Sequence, residues 1–279
     1  MQATAPIGIF DSGIGGLTVA SAIAKCFPQE SIIYFGDTAH LPYGEKSIEA
    51  IQHYSATIVE FLIAQGCKLI VIACNSASAA AYELLKDRYS AKVAIIDVIS
   101  PLAEYTARQK VKKVGVIATK ATTRSDIYAQ QLMTLNKDLE VSALATTLLV
   151  PMIEEGFFDD NISHAIIHKY LSYPDFEDID ALLLACTHYP LIRQEIQDYF
   201  GDKVQVWDSI NPVVEKVSIL LNKRKLSAPK TQTAEYKFWV TDYTKSFEHT
   251  TRIFYGETIK LESVQWKDDA LVLSMPLQD

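Results

Sequence analysis

The chain has 279 residues, 49% of them hydrophobic and 22% charged, which is ordinary for a globular protein and long enough for two domains. A formal charge of −8, with no block of lysine and arginine, excludes the basic footprint of a nucleic-acid binder and points to a small, diffusible partner. With no leader-like start and no apolar stretch near the roughly 20 residues of a spanning helix, a cytoplasmic protein without nucleic-acid or membrane partners is expected.

The first β-branched run, IGIF at 7–10, is a predicted strand that empties into the loop DSGIGG, 11–16, ahead of a helix. Asp11 and Ser12 stand at its end, where glycines let backbone N–H groups approach a ligand. As a dinucleotide fingerprint the loop is a weak match: Thr18 replaces the third glycine, although Asp37 lies about where an acidic ribose ligand would. SIIYFG, 31–36, is the second strand, followed by the turn-forming loop AHLPYGEKS, in which Tyr43 offers a hydroxyl and Gly44 a main-chain donor. Ser47 caps a helix that Gly66 closes just past Gln65. KLIVIA, 68–73, is the third strand and runs into Cys74, Asn75 and Ser76, and VAIID, 93–97, is the fourth.

The second half begins with VGVIA, 114–118, after which Thr119 and Thr122 supply hydroxyls where Asp11 stands in the first half. VSALA, 141–145, and ALLLA, 181–185, follow, the latter running into Cys186, Thr187 and His188, and VQVW, 204–207, completes the set. Gly8 corresponds to Gly115, Cys74 to Cys186, and Asp97 of DVISP to Asp208 of DSINP, at offsets of 107, 112 and 111 residues. Such a near-constant register marks an internal repeat. Strands alternating with helices give the α/β class, and the repeat gives two doubly wound parallel-sheet domains related by a pseudo-twofold axis. Pro101 and Pro212 fit the first turn of a helix with Ser100 or Asn211 as cap, and mark the junctions. The tail beyond 211, with a strand at YKFWV and a final TIKLESVQW, has no counterpart in the second half. The expected domains are therefore 1–99 plus 211–279, and 100–210.

Four cysteines, at 26, 67, 74 and 186, form no CxxC pair and read as reduced thiols. Cys26 and Cys67 read as small hydrophobes. Cys74 and Cys186 occupy equivalent strand ends, the place where open α/β sheets bind ligands. A twofold arrangement sets one thiol on each side of an interdomain cleft. Racemisation at a carbon beside a carboxylate needs that pairing, a base on one face and an acid on the other, and thiols titrate close enough to neutrality to serve as both. His188 is a candidate proton relay, whereas Glu154 and Glu155 are of the type normally found as solvated charges. The alternatives are a hydrolase with Cys74 as nucleophile and His188 as base, an amino-acid-binding module on the same plan, and a zinc site through Cys74, Cys186 and His188, which lacks a fourth ligand.

The segments GIFDSGIGGLTV, YFGDTAHLPYGEKS, ACNSASA, ATKATTRSDIY, VPMIEEG and ACTHYPL, in this order between residues 7 and about 193, resemble those of the cofactor-independent aspartate/glutamate racemases, and of the glutamate racemases among them. The resemblance implies an active site between two α/β domains, interconversion of L- and D-glutamate without cofactor or metal, and D-glutamate supplied to bacterial peptidoglycan. It implies Cys74 and Cys186 as the acid/base thiols, Asp11 assisting Cys74, and His188 and Glu154 assisting Cys186. Ser12, Pro42, Tyr43, Gly44, Asn75, Ser76, Thr119, Thr122 and Thr187 would surround the substrate, and a homodimer would be usual. Ser76 stands where the family usually has threonine, so the hydroxyl is kept.

Overall fold

A computed structural model describes residues 2–273, apart from the side chains of Ser246 and His249. The apolar runs form parallel strands, the central ones buried on both faces, as sheets sandwiched between helices require, and the edge strand at 140–145 partly exposed. In the first half, β1 (Ile7–Asp11), β2 (Ile32–Gly36), β3 (Leu69–Ile72) and β4 (Ala94–Asp97) alternate with α1 (Leu17–Cys26), α2 (Ile48–Ala64) and α3 (Asn75–Tyr89). After α4 (Ile99–Ala107) come β5 (Lys113–Ala118), β6 (Glu140–Ala145), β7 (Ala181–Ala185) and β8 (Gln205–Asp208), interleaved with α5 (Lys120–Arg124), α6 (Ile127–Leu135), α7 (Leu149–Glu154), α8 (Asn161–Leu171) and α9 (Arg193–Phe200). The chain returns through α10 (Ile210–Arg224) to β9 (Tyr236–Val240), α11 (Lys245–Tyr255), β10 (Glu262–Lys267) and β11 (Ala270–Leu273).

Two sheets result, ordered β11-β10-β9-β2-β1-β3-β4 and β6-β5-β7-β8. The repeat is visible in their shared order, β2-β1-β3-β4 against β6-β5-β7-β8, and in their register. Gly8 pairs with Ile70 and Gly115 with Leu182, and in each case the cysteine lies four residues beyond that partner. Asp97 pairs with Ile72 and Asp208 with Leu184, each two residues short of the cysteine. The fold is thus two parallel-sheet α/β domains, with β9 and β10 extending the first sheet in parallel and β11 added antiparallel at its edge. Among the described residues no helix is long and apolar enough to cross a membrane.

Local signals act largely as read. Ser47 accepts the N–H of Ala50 at the start of α2, and Gly66 takes the left-handed conformation, φ +82°, just past its end. The expected caps of α4 and α10 are corrected, however. Ser100 and Asn211 already lie within those helices; Asp97 accepts the N–H groups of Ile99 and Ser100, and Asp208 that of Ile210. A carboxylate two residues upstream reaches the orphan donors first.

The dinucleotide reading of the glycine-rich loop also fails. Asp37 is fully buried, and its carboxylate accepts from Tyr43 Oη at 2.6 Å, Thr241 Oγ1 at 2.8 Å and Trp266 Nε1 at 2.9 Å, with His40 Nδ1 at 3.0 Å. It ties the 38–45 loop to β9 and β10 and has no room for a ribose. The glycine-rich loop is itself anchored by Tyr34, whose hydroxyl donates to the Gly13 carbonyl at 2.9 Å.

Candidate active site

Both cysteines line one cavity of about 290 Å³ between the domains. Cys74 is reached from β3 and Cys186 from β7. From the first domain Ser12, Pro42, Tyr43, Gly44, Asn75 and Ser76 share the wall. Thr119, Glu154, Thr187 and His188 contribute from the second. Two expected residues stand behind it. Asp11, 1% exposed, lies under the glycine-rich loop and accepts the Gly13 N–H at 2.8 Å and the Thr187 hydroxyl at 3.4 Å. Thr122 is buried behind Thr119, whose hydroxyl donates to it at 3.2 Å.

Cys74 is the N-cap of α3, and its sulfur accepts the Ala77 N–H at 3.4 Å while its thiol donates to Ser12 Oγ at 3.6 Å. A helix N-terminus favours a thiolate. Burial, with the Asp11 charge adding to it, outweighs that and pushes the Cys74 thiol up to about 12. Burial also raises Asp11, against the pull of His188 and the N–H groups of Gly13 and Gly16. On this side, then, the sulfur holds its proton.

The Cys186 side is built differently. A 3-10 turn, Tyr189–Ile192, follows the strand and brings His188 back over the sulfur, whereas α3 starts directly after Cys74. Nδ1 of His188 lies 3.8 Å from Cys186 Sγ, and Nε2 lies 2.9 Å from Glu154 Oε1. Burial opposes a charge on the ring, but its bonds to Cys186 and Glu154 prevail and carry His188 up to about 10. An imidazolium therefore stands beside Cys186. Glu154, expected from its residue type to be solvated, is 38% exposed and committed to the ring. Phe254 of α11 closes the back of the imidazole at 5.0 Å, edge to face.

The domains meet closely here. Thr18 donates to the Thr187 carbonyl at 3.1 Å, and the hydroxyls of Ser76 and Thr119 lie 2.8 Å apart. Gly15 is a glycine for reasons of space, since a Cβ there would stand 2.3 Å from His188 Cε1 and 2.6 Å from Thr187 Oγ1. Thr146, Val150 and Tyr189 also line the cavity without having been singled out: Val150 and Tyr189 sit within VPMIEEG and ACTHYPL, beside the carboxylates and the thiol that drew notice there, and Thr146 lies outside every quoted segment. Because His188 serves Cys186 while Cys74 is served by Ser12 and Ala77, the pairing that a Cys74–His188 hydrolase needs is not the one formed.

The sequence profile of Asp/Glu/hydantoin racemases matches residues 17–217. A glutamate racemase from Geobacter metallireducens is 40% identical over 251 residues, 90% of this chain and 92% of that protein. Among solved structures, the glutamate racemase from Francisella tularensis subsp. tularensis in complex with D-glutamate superposes with a TM-score of 0.88 at 39% identity, covering 94% of this chain and 98% of the other. That of Thermus thermophilus, in complex with beta-chloro-D-alanine, gives 0.86 at 34% identity over 95% and 98%.

Proposed function

We propose that this chain, which belongs to the Asp/Glu/hydantoin racemase family and is an isomerase, interconverts L- and D-glutamate with Cys74 and Cys186 as its two proton carriers. One observation carries the reading: sulfurs at equivalent register positions of two sheets line the same cavity. The relatives support glutamate as substrate, one of them holding D-glutamate.

In the forward direction the α-carbon of L-glutamate lies between the sulfurs. Cys186 acts as a thiolate held beside the imidazolium of His188; the Cα–H bond breaks as the proton passes to that thiolate, which becomes a thiol and leaves the electron pair on the α-carbon. The Cys74 thiol gives its proton to the opposite face, forming the new Cα–H bond of D-glutamate and becoming a thiolate, and proton exchange with solvent after product release restores the starting state. The reverse reaction exchanges the roles, with Cys74 acting on the D-isomer. No electron and no co-reactant enters the balance. The α-proton beside a carboxylate is a weak acid, so fixed donors in a water-poor cavity, the unpartnered side-chain amide of Asn75 foremost, must stabilise the carbanionic transition state. D-glutamate made this way would suit bacterial peptidoglycan synthesis.

The test follows L-glutamate by circular dichroism with metal-free protein and no added pyridoxal phosphate, in water and in deuterium oxide. Decay of the signal to zero with deuterium at the α-position is expected. Glutamate that binds yet keeps its optical activity and its α-proton would overturn the reading in favour of a binding module.

A further inference from the structure

We propose that Tyr128 is a positioning residue for substrate binding, fixing the side-chain amide of Asn75 across the domain boundary so that its NH2 group faces the cavity; this rests on the glutamate reading above. Asn75 begins α3 in the first domain, and Tyr128 lies in α6 of the second. The Tyr128 hydroxyl donates to Asn75 Oδ1 at 2.8 Å, and both residues are 3% exposed. Nδ2 of Asn75 is buried and has no hydrogen-bond partner among the described residues, although Asn75 lines the cavity.

A side-chain amide has one accepting end and one donating end, and which points where is decided by its neighbours. With the oxygen held by a phenol that is itself buried, the NH2 is left aimed at the ligand. A buried donor left unpartnered costs stability unless something fills it. A carboxylate, which only accepts, is the ligand chemistry that does so, and glutamate brings one attached to the reacting carbon. Were the hydroxyl absent, the amide could turn over and present its oxygen to that carboxylate, replacing attraction by repulsion. Tyr128 would thus act on affinity without touching the substrate.

Tyr128→Phe removes one oxygen and keeps the ring. KM for glutamate is expected to rise roughly five- to thirtyfold, with kcat changed much less, as loss of uniform binding requires. In an Asn75→Ala background the same change should add nothing further, since residues acting through one group are not additive. A merely structural tyrosine would lower stability in both backgrounds and leave KM alone. The amide can also be watched directly in ligand-free protein. The Asn75 NH2 pair in a 15N–1H spectrum, assigned by its loss in Asn75→Ala, should shift or broaden in Tyr128→Phe. An unchanged pair, or an equal KM penalty in both backgrounds, would overturn the proposal. A wild-type protein that leaves L-glutamate unracemised would sink the glutamate reading alone, and the amide spectrum would still decide on Tyr128. Should Tyr128→Phe fail to fold, Asn75→Asp takes its place, keeping the acceptor for the phenol and removing both donors. A fall in glutamate affinity of about tenfold or more at unchanged Tm supports the proposal, and unchanged affinity overturns it.

Discussion

Nε2 of His188 lies 2.9 Å from Oε1 of Glu154, and the opposite nitrogen of the same ring lies 3.8 Å from the sulfur of Cys186. One imidazole thereby links a partly exposed carboxylate to a buried thiol. Glu154→Gln keeps the shape and removes the charge, so His188 should lose its proton at lower pH. The basic limb of the pH profile should move toward neutrality and kcat/KM fall roughly tenfold or more. Because the enantiomers have equal free energy in achiral solution, that fall must be the same from L- and from D-glutamate. Initial rates by circular dichroism from about pH 6 to pH 10 check both points, and an unmoved profile would remove Glu154 from the path.

His188 also couples stability to pH. Its folded value near 10 lies above the ordinary 6.5. A raised folded pKa contributes stability fully below the unfolded value and loses it as pH rises through the folded one. The gap in Tm between wild type and His188→Asn should therefore be widest below 6.5 and narrow as pH approaches about 10. A gap that widens with pH would contradict a protonated ring.

Gly15→Ala puts a methyl group 2.3 Å from an imidazole pinned by Cys186, Glu154 and Phe254. Displacing the ring by even about an ångström should cost turnover on the order of a hundredfold. The far-ultraviolet dichroism should be unchanged. Normal turnover would mean that the ring has freedom its neighbours do not suggest.

Cys74→Ser and Cys186→Ser each replace a proton carrier by a much weaker acid, and racemisation should fall by roughly 10²–10⁴-fold in either variant. Cys26→Ser, at an exposed thiol, serves as the control and should leave the rate unchanged. A Cys74 or Cys186 variant at the wild-type rate would end the two-thiol assignment.

Asp37→Asn turns an NH2 toward one of several donors that now converge on an acceptor-only carboxylate. Unfolding in urea should show a loss of about 2–3 kcal/mol, and KM should rise as the loop bearing Tyr43 loosens. Equal stability in the variant would show that the donors find other partners.

The strands were legible because apolar runs buried on both faces need no partner to be recognised, and the paired cysteines because the repeat set them in one register. What joins residues far apart in the chain was legible only in part. By residue type alone Glu154 reads as a solvated charge, and only the family resemblance set it beside His188, whereas Tyr128 reads as an ordinary helix residue until α6 crosses over Asn75 from the other domain. Asp37 carried a misleading signal: its spacing from the glycines suits a ribose ligand, while its real partners, Thr241 and Trp266, lie about 200 residues further along the chain. The symmetry is broken at Cys186, where a 3-10 turn precedes α9, whereas α3 starts directly after Cys74.

The late return of the chain to the first sheet sets a limit on how the protein can be trimmed. A version cut before β9 would retain both thiols and every strand of the repeated pattern, so by inspection of its motifs it would pass for complete. Yet Thr241, Phe254 and Trp266 would be gone, leaving Asp37 with donors missing and the His188 ring without its rear wall. Damage at the tail would thus register at the reacting carbon.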